Sequence, residues 1–203
     1  MKLNIADLPT RDRYKLMIGS ILPRPIAWVS TMDEAGNLNL APFSFFTAVC
    51  SNPMTVLFSS GYHAGGRKKD TWRNAELLGE FVVNFTNEET SEAMNRSATE
   101  LSPGESEFAF AGVTPAASSL VRVPRVTEAP VAYECRLQQI VEIGDANGGG
   151  ASIFGEVVAV HVRDDLYENG RIDLAGLKPI GRLSGNNYTR VNDIFTMKRL
   201  PRP

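Results

Sequence analysis

The stretch Ile26-Ala27-Trp28-Val29-Ser30-Thr31, then Asp33-Glu34-Ala35-Gly36-Asn37, then Leu38-Asn39-Leu40-Ala41-Pro42-Phe43-Ser44-Phe45-Phe46-Thr47-Ala48-Val49 reads as a β-hairpin. Pro23 and Pro25 push the residues before them out of the helical region, so the chain reaches Ile26 extended. Residues 33–37 are turn formers between two β-prone runs. Pro42 interrupts the second run and suits an edge or a bulge, because it has no N–H to give a sheet ladder. Working outward, the chain keeps returning to extended structure at residues 54–60, 81–85, 131–138 and 153–162. Val131, Tyr133, Cys135 and Leu137 alternate with Ala132, Glu134, Arg136 and Gln138, the period of two of a half-buried strand.

Helical signals are short. Residues 12–19 suit a helix or turn ended by Gly19, and residues 71–78 a helix with Asp70 as N-cap. Thr86 and Glu89 have capping-box spacing for a helix running to about Ala98. Residues 101–107, with Pro103 and Gly104, read as an acidic loop, and residues 145–150 as a glycine-rich turn. Many strands with few helices predict a mainly β, small antiparallel barrel in one domain over residues 1–203.

Composition narrows the function. A chain of 203 residues supports one well-buried core. A hydrophobic share of 43% and a charged share of 22% are those of a soluble globular protein. The net charge of −2 argues against a general nucleic-acid binder. No apolar run approaches the ~20 residues that span a bilayer, and residues 1–7 lack the apolar stretch of a signal peptide. A cytoplasmic protein without a membrane partner is expected. Cys50 and Cys135 read as reduced core thiols without zinc spacing. With only His63 and His161 available, neither a metal site nor a catalytic side-chain triad is expected.

The chemistry-bearing residues favour a flat ring that ends in a phosphate. In Arg67-Lys68-Lys69-Asp70-Thr71, three cations precede a helix start. A helix N-terminus has unpaired N–H groups and roughly half a positive charge, so it suits an anion. Arg67 and Lys69 add charge and Thr71 a hydroxyl, while Asp70 caps the helix and orients the cations. The same residues also read as a solvated basic turn. Residues 23–31 and 39–47 offer aromatic and apolar surface beside hydroxyl and backbone donors, although phenylalanines so spaced also fill a core. Trp28 is either core or a shield over the ring. His63, in the loop 61–66, reads as an exposed histidine near the proposed phosphate, and His161 as structural.

Together, Pro23-Arg24-Pro25-Ile26-Ala27-Trp28-Val29-Ser30-Thr31, Asn39-Leu40-Ala41-Pro42-Phe43-Ser44-Phe45-Phe46-Thr47, Arg67-Lys68-Lys69-Asp70-Thr71, Gly79-Glu80-Phe81-Val82-Val83-Asn84, Ser106-Glu107-Phe108-Ala109-Phe110-Ala111-Gly112-Val113-Thr114 and Ile153-Phe154-Gly155-Glu156-Val157 resemble the flavin reductase-like family of FMN-binding split barrels. That family includes flavoredoxins and the reductase partners of two-component monooxygenases. The resemblance runs from about Ser20 to about Tyr188. It implies a six-stranded antiparallel Greek-key split β-barrel with short flanking helices. It also implies a homodimer with FMN at the interface, NADH or NADPH as electron donor, and a partner oxygenase or other acceptor.

For the site, the resemblance implies that Val29, Ser30, Thr31, Asn39, Ser44, Phe45, Phe46 and Thr47 line the cofactor. Backbone N–H groups of residues 44–47 would meet the pyrimidine edge, where donors raise the flavin's potential. Ser59 and Ser60 would meet the ribityl chain or phosphate, and Arg67, Lys69, Asp70 and Thr71 form the phosphate end. The family's nicotinamide-using members carry a Gly-Asp-His motif before the last barrel strand. Here that stretch is Gly144-Asp145-Ala146-Asn147-Gly148-Gly149-Gly150-Ala151-Ser152. The missing histidine keeps a flavoredoxin-type electron carrier as the alternative, and the glycines would open room over the ring. A haem-binding or purely interacting split barrel is a further reading, against which Lys69-Asp70-Thr71 counts. Arg182 and Tyr188 either reach a ring or phosphate or belong to an ordinary tail strand. The tail, residues 190–203, is expected to wrap a surface or a partner subunit.

Overall fold

The hairpin forms as read. In the computed structural model, which describes residues 1–102 and 105–200, β1 (Ala27–Met32) pairs antiparallel with β2 (Leu38–Phe43). The Asp33 carboxylate closes the turn by accepting from the Ala35 and Asn37 N–H groups at 3.0 and 2.8 Å. Pro42 sits inside β2 opposite Trp28. That is tolerated because β2 is a sheet edge. The chain bends instead at Ser44 and Phe45 and resumes as β3 (Phe46–Ser51).

Four more strands of the same sheet follow: β4 (Met54–Gly61), β5 (Glu80–Phe85), β6 (Val131–Ile143) and β7 (Gly150–Val162). They form a seven-stranded antiparallel sheet in the order β2-β1-β5-β6-β7-β4-β3. The count is seven rather than six because the two-residue corner divides one predicted run into two strands. Its edges, β2 and β3, are joined through Ser44 and Phe45, so the sheet curls round without closing. That is a split barrel.

Helix α1 (Thr10–Ser20) runs through Gly19 rather than ending there, and α2 (Asp70–Leu78) ends at Gly79 with φ +68°. The capping box at Thr86 does not form. Helix α3 (Ser91–Arg96) starts later, because Asn87 and Thr90 exchange hydrogen bonds of 3.0 and 3.1 Å and close the turn before it. A fourth helix, α4 (Glu107–Ala111), completes the cover.

Barrel and cover each have a core. Phe58, Phe81, Val29, Ile153 and Trp72 fill the barrel. Phe58 contacts Phe43 and Phe81 at ring separations of 4.9 and 5.4 Å. Burying each such ring stabilises the fold by about 1.5–3 kcal/mol. Gly155 makes the room, since a Cβ there would lie 2.3 Å from the Phe81 ring. On the outer side, Trp28, Leu40, Met94 and Phe108 pack beneath α3 and α4. Trp28 is therefore core, and its indole N–H donates to Ser97 Oγ at 2.8 Å.

Other readings are corrected. In the half-buried strand β6, Glu134 of the polar set is fully buried, because the stretch 118–123 lies over β6. Cys50 is exposed on the edge strand β3, whereas Cys135 is buried and its thiol pKa is pushed up by that burial. In the expected acidic loop, Pro103 and Gly104 lie outside the described residues, and residues 101, 102, 105 and 106 have no regular structure. The tail, residues 191–200, is neither helix nor strand and exposes Ile194, Phe195, Met197 and Leu200. Its last three residues lie outside the described part.

Candidate functional site

A cleft of about 700 Å³ opens between β2, the start of α2 and residues 97–107 as far as these are described. The sequence makes its cationic end through the way α2 begins. Lys69 is the N-cap, with extended φ −63° and ψ 151°, and no side chain caps the helix. Asp70 is thus not the cap. It is the first helical residue, and its carboxylate pairs with Arg73 at 3.0 Å. The first-turn N–H groups keep no side-chain acceptor, which leaves the positive end of the helix open. Arg67 and Lys69 line the cleft, and among the described residues neither makes an ion pair. Lys68 turns away. It binds Glu76 at 2.9 Å and Glu142 at 3.0 Å and lies 4.5 Å from the centre of the Trp72 ring.

Beneath these cations lies a neutral polar floor. Strand pairing sets Thr31 opposite Asn39. The Asn39 amide donates to Thr31 Oγ1 at 3.0 Å and to Thr71 Oγ1 at 2.8 Å. Asn74, one turn after Thr71, donates to Thr31 Oγ1 at 3.4 Å. The far wall carries Glu107, whose carboxylate accepts from the Leu40 N–H at 3.2 Å. Its pKa is raised, chiefly by burial and further by the charge of Asp70, against the pull of backbone N–H groups. His63 also lines the cleft, with Nδ1 3.3 Å from the Glu100 carboxylate. The cleft thus has Arg67, Lys69 and the start of α2 at one end and carboxylates such as Glu100 and Glu107 along the far wall.

The remaining predicted residues divide. Val29 is buried in the barrel core, and Ser30 points to the opposite face, where its hydroxyl donates to the Pro124 carbonyl at 2.7 Å. Neither side chain reaches the cleft. Ser44, Phe45, Phe46 and Thr47 gather at the β2–β3 corner with Ser59 and Ser60 beside them. Ser44 Oγ accepts from Arg24 Nε at 3.2 Å, and the Ser59 N–H donates to the Phe45 carbonyl at 2.8 Å. Phe46 meets Phe85 edge-on at 5.9 Å, Thr47 is exposed and Ser60 is buried. The cleft group is therefore Asn39, Arg67, Lys69, Asp70 and Thr71, with Thr31 behind them. Five steps of β2 separate Asn39 from Ser44 in the corner group, roughly 16 Å of extended strand.

Comparison with known proteins fixes the family. Residues 18–176 match the flavin reductase like domain. The chain belongs to the flavin reductase-like family. It is 41% identical to nitrilotriacetate monooxygenase component B from Bacillus cereus, with a TM-score of 0.93 over 97% of this chain and 98% of that one. It is 30% identical to the 2-nitrobenzoate 2-nitroreductase NbaA of Pseudomonas fluorescens, with a TM-score of 0.89 over 99% and 98%. A Shewanella frigidimarina flavin reductase with a split barrel domain shares the fold at 22% identity, with a TM-score of 0.84 over 98% and 100%. These relationships make the chain a flavin-related oxidoreductase with a mainly β split-barrel fold.

Where this flavin reductase-like chain departs from its family's motif, the glycines have a structural cause. Gly148 has φ +96°. A Cβ at Gly149 would lie 2.4 Å from the Asp145 carbonyl oxygen, and one at Gly150 2.6 Å from that of Ser60. The hairpin needs them for close backbone approach. Arg182 and Tyr188 are engaged with each other: the guanidinium stacks 4.4 Å from the ring centre and donates to the phenol oxygen, which donates to Asn95 at 3.1 Å. Sequence reasoning missed Asn74, Arg73 and Glu107 at the cleft. For Asn74 a signal existed, because a residue three beyond Thr71 shares its helix face. Glu107 carried none, since its partner Leu40 is 67 residues away.

Proposed function

We propose that this family member is an FMN-binding flavoprotein oxidoreductase of flavin reductase type. It would pass reducing equivalents from NADH or NADPH through FMN to a partner oxygenase or another acceptor. The observation that carries the reading is the start of α2, a nine-residue helix without a side-chain cap, with Arg67 and Lys69 unpaired beside it among the described residues. Phosphate bound to a helix N-terminus and cations makes charge-assisted hydrogen bonds, the strong class. Arg67, Lys69, the first-turn N–H groups and the Thr71 hydroxyl would hold the phosphate. Asn39 orients Thr71 by donating to its oxygen. The Asp70–Arg73 pair partly offsets the Asp70 charge beside the anion. The β2–β3 corner would receive the ring, with backbone donors of residues 44–47 and the apolar faces of Phe45 and Phe46.

Bound FMN supplies hydride and single-electron chemistry, and the protein binds, orients and tunes it. The similarity to a monooxygenase component B supports an oxygenase as recipient. The test is the absorption spectrum after addition of FMN and dialysis. A retained flavin band is expected; a colourless protein, or one with a haem spectrum, overturns the reading. Stopped-flow mixing of the FMN-loaded protein with NADH and NADPH then separates reductase from carrier. Rapid bleaching of the flavin band by one of them is expected, and inertness to both would assign the flavoredoxin-type role.

A further inference from the structure

The cleft floor holds a buried acceptor that no group of the described chain satisfies. Asn74 is 2% exposed and lines the cleft. Its Nδ2 donates to Thr31, while its Oδ1 has no hydrogen-bond partner. A buried carbonyl oxygen without a donor is costly, far more so than a satisfied one is beneficial. The nearby Thr31 and Thr71 hydroxyls accept from Asn39, and neither hydrogen-bonds to Asn74 Oδ1. The missing partner is therefore a donor that comes from the cleft.

That requirement selects among the parts of a ligand. A phosphate dianion has no proton to give, and a carboxylate has none either. A hydroxyl does. Asn74 stands one helical turn from Thr71 and is linked to it through Thr31 and Asn39. Whatever meets Asn74 thus lies beside whatever occupies the N-terminus of α2. We infer that Asn74 is a specificity-determining residue: its side-chain carbonyl accepts a hydrogen bond from a hydroxyl of a polyol chain directly attached to the phosphate. The site would then recognise a polyol phosphate, and neither a bare anion nor a bare ring would satisfy it. This rests on the FMN reading above, in which that polyol is the ribityl chain.

Titration of the full-length protein with FMN, riboflavin and lumiflavin tests it, because the three ligands remove first the phosphate and then the polyol. Asn74→Ala is expected to weaken FMN and riboflavin at least fivefold and to leave lumiflavin within twofold. Asn74→Asp keeps an acceptor but adds a charge. It should hold riboflavin within about threefold of wild type and lose FMN at least tenfold. Should Asn74→Ala not fold, the riboflavin-to-FMN contrast in Asn74→Asp decides alone. Equal losses for all three ligands in Asn74→Ala, or a loss of riboflavin in Asn74→Asp as large as that of FMN, overturns the inference while the FMN reading stands. A wild-type protein that binds no flavin overturns both.

Discussion

Lys68 and Lys69 are neighbours in the chain with opposite uses. Lys68 is held by Glu76, Glu142 and the face of Trp72, whereas Lys69 caps α2 at the cleft. Lys69→Ala combined with Thr71→Ala is therefore expected to weaken FMN at least tenfold, about 1.4 kcal/mol or more. Lys68→Ala should leave affinity within twofold and cost only about 0–1 kcal/mol of stability per partly exposed pair. Fluorescence titration beside thermal melts reads both, and equal effects of the two changes on affinity would remove Lys69 from the site. The sequence shows three equivalent cations at this turn. Their distinction rests on Glu142, 74 residues from Lys68, and so becomes visible only once β6 is folded against α2. Val29 and Ser30 show the same limit: strand alternation says that they face opposite ways, but not which face is a site. Thr31 and Asn39 were legible as hairpin partners and Thr71 as a helix start, both local signals, whereas the Asn39–Thr71 bond that joins them spans 32 residues.

At the scale of elements, β6 and β7 are joined through a buried carboxylate. The Glu134 carboxylate accepts from the Ser119, Leu120 and Val121 N–H groups at 2.6, 2.6 and 3.2 Å and meets His161 Nε2 at 2.5 Å. Burial alone would raise its pKa. The hydrogen bonds from His161 and the two closest N–H groups outweigh that and hold it below the usual carboxylate value. A carboxyl lowered on folding binds its proton more tightly in the unfolded chain. Its stabilisation is present above the unfolded value of about 4.3 and fades as pH falls through the lower folded one. Melts between pH 7 and pH 3 should show that acid limb. Glu134→Gln should flatten it and cost about 1.5–3 kcal/mol at pH 7, roughly 3–12 °C in Tm for a chain of this size. An acid limb of unchanged slope in Glu134→Gln would refute the account. The period of two in β6 marked a half-buried strand, but it did not show that Glu134 would be buried. Alternation along a strand carries no sign of a loop laid over it, and that loop comes from the stretch just before β6 begins.

For the whole molecule, the open question is what covers the barrel's free edge. Residues 47–51 of β3 are all exposed, Val49 at 46%, and β3 pairs on one side only. A long uncovered edge is a template for further pairing, and proteins that keep one usually cover it. The exposed tail residues Ile194, Phe195, Met197 and Leu200 add apolar surface that this chain does not bury. The barrel itself was legible from strand runs and turns. Its splitting came from the family resemblance and not from the strand runs, because the bend at Ser44 and Phe45 follows from how the two sheet edges meet; Pro42 correctly marked β2 as an edge strand. The corner group of residues 44–47 leads straight into this edge, so a second copy seated there would also complete the proposed ring site. Sedimentation velocity at micromolar concentration should show a dimer. Val49→Lys should raise its dissociation constant at least tenfold, because the ammonium would lose water inside the contact. FMN affinity should fall with it, although residue 49 is remote from Arg67 and Lys69 in sequence and needs no contact with the phosphate. A wild-type monomer that still binds FMN would refute the coupling, since the site would then be complete within one chain.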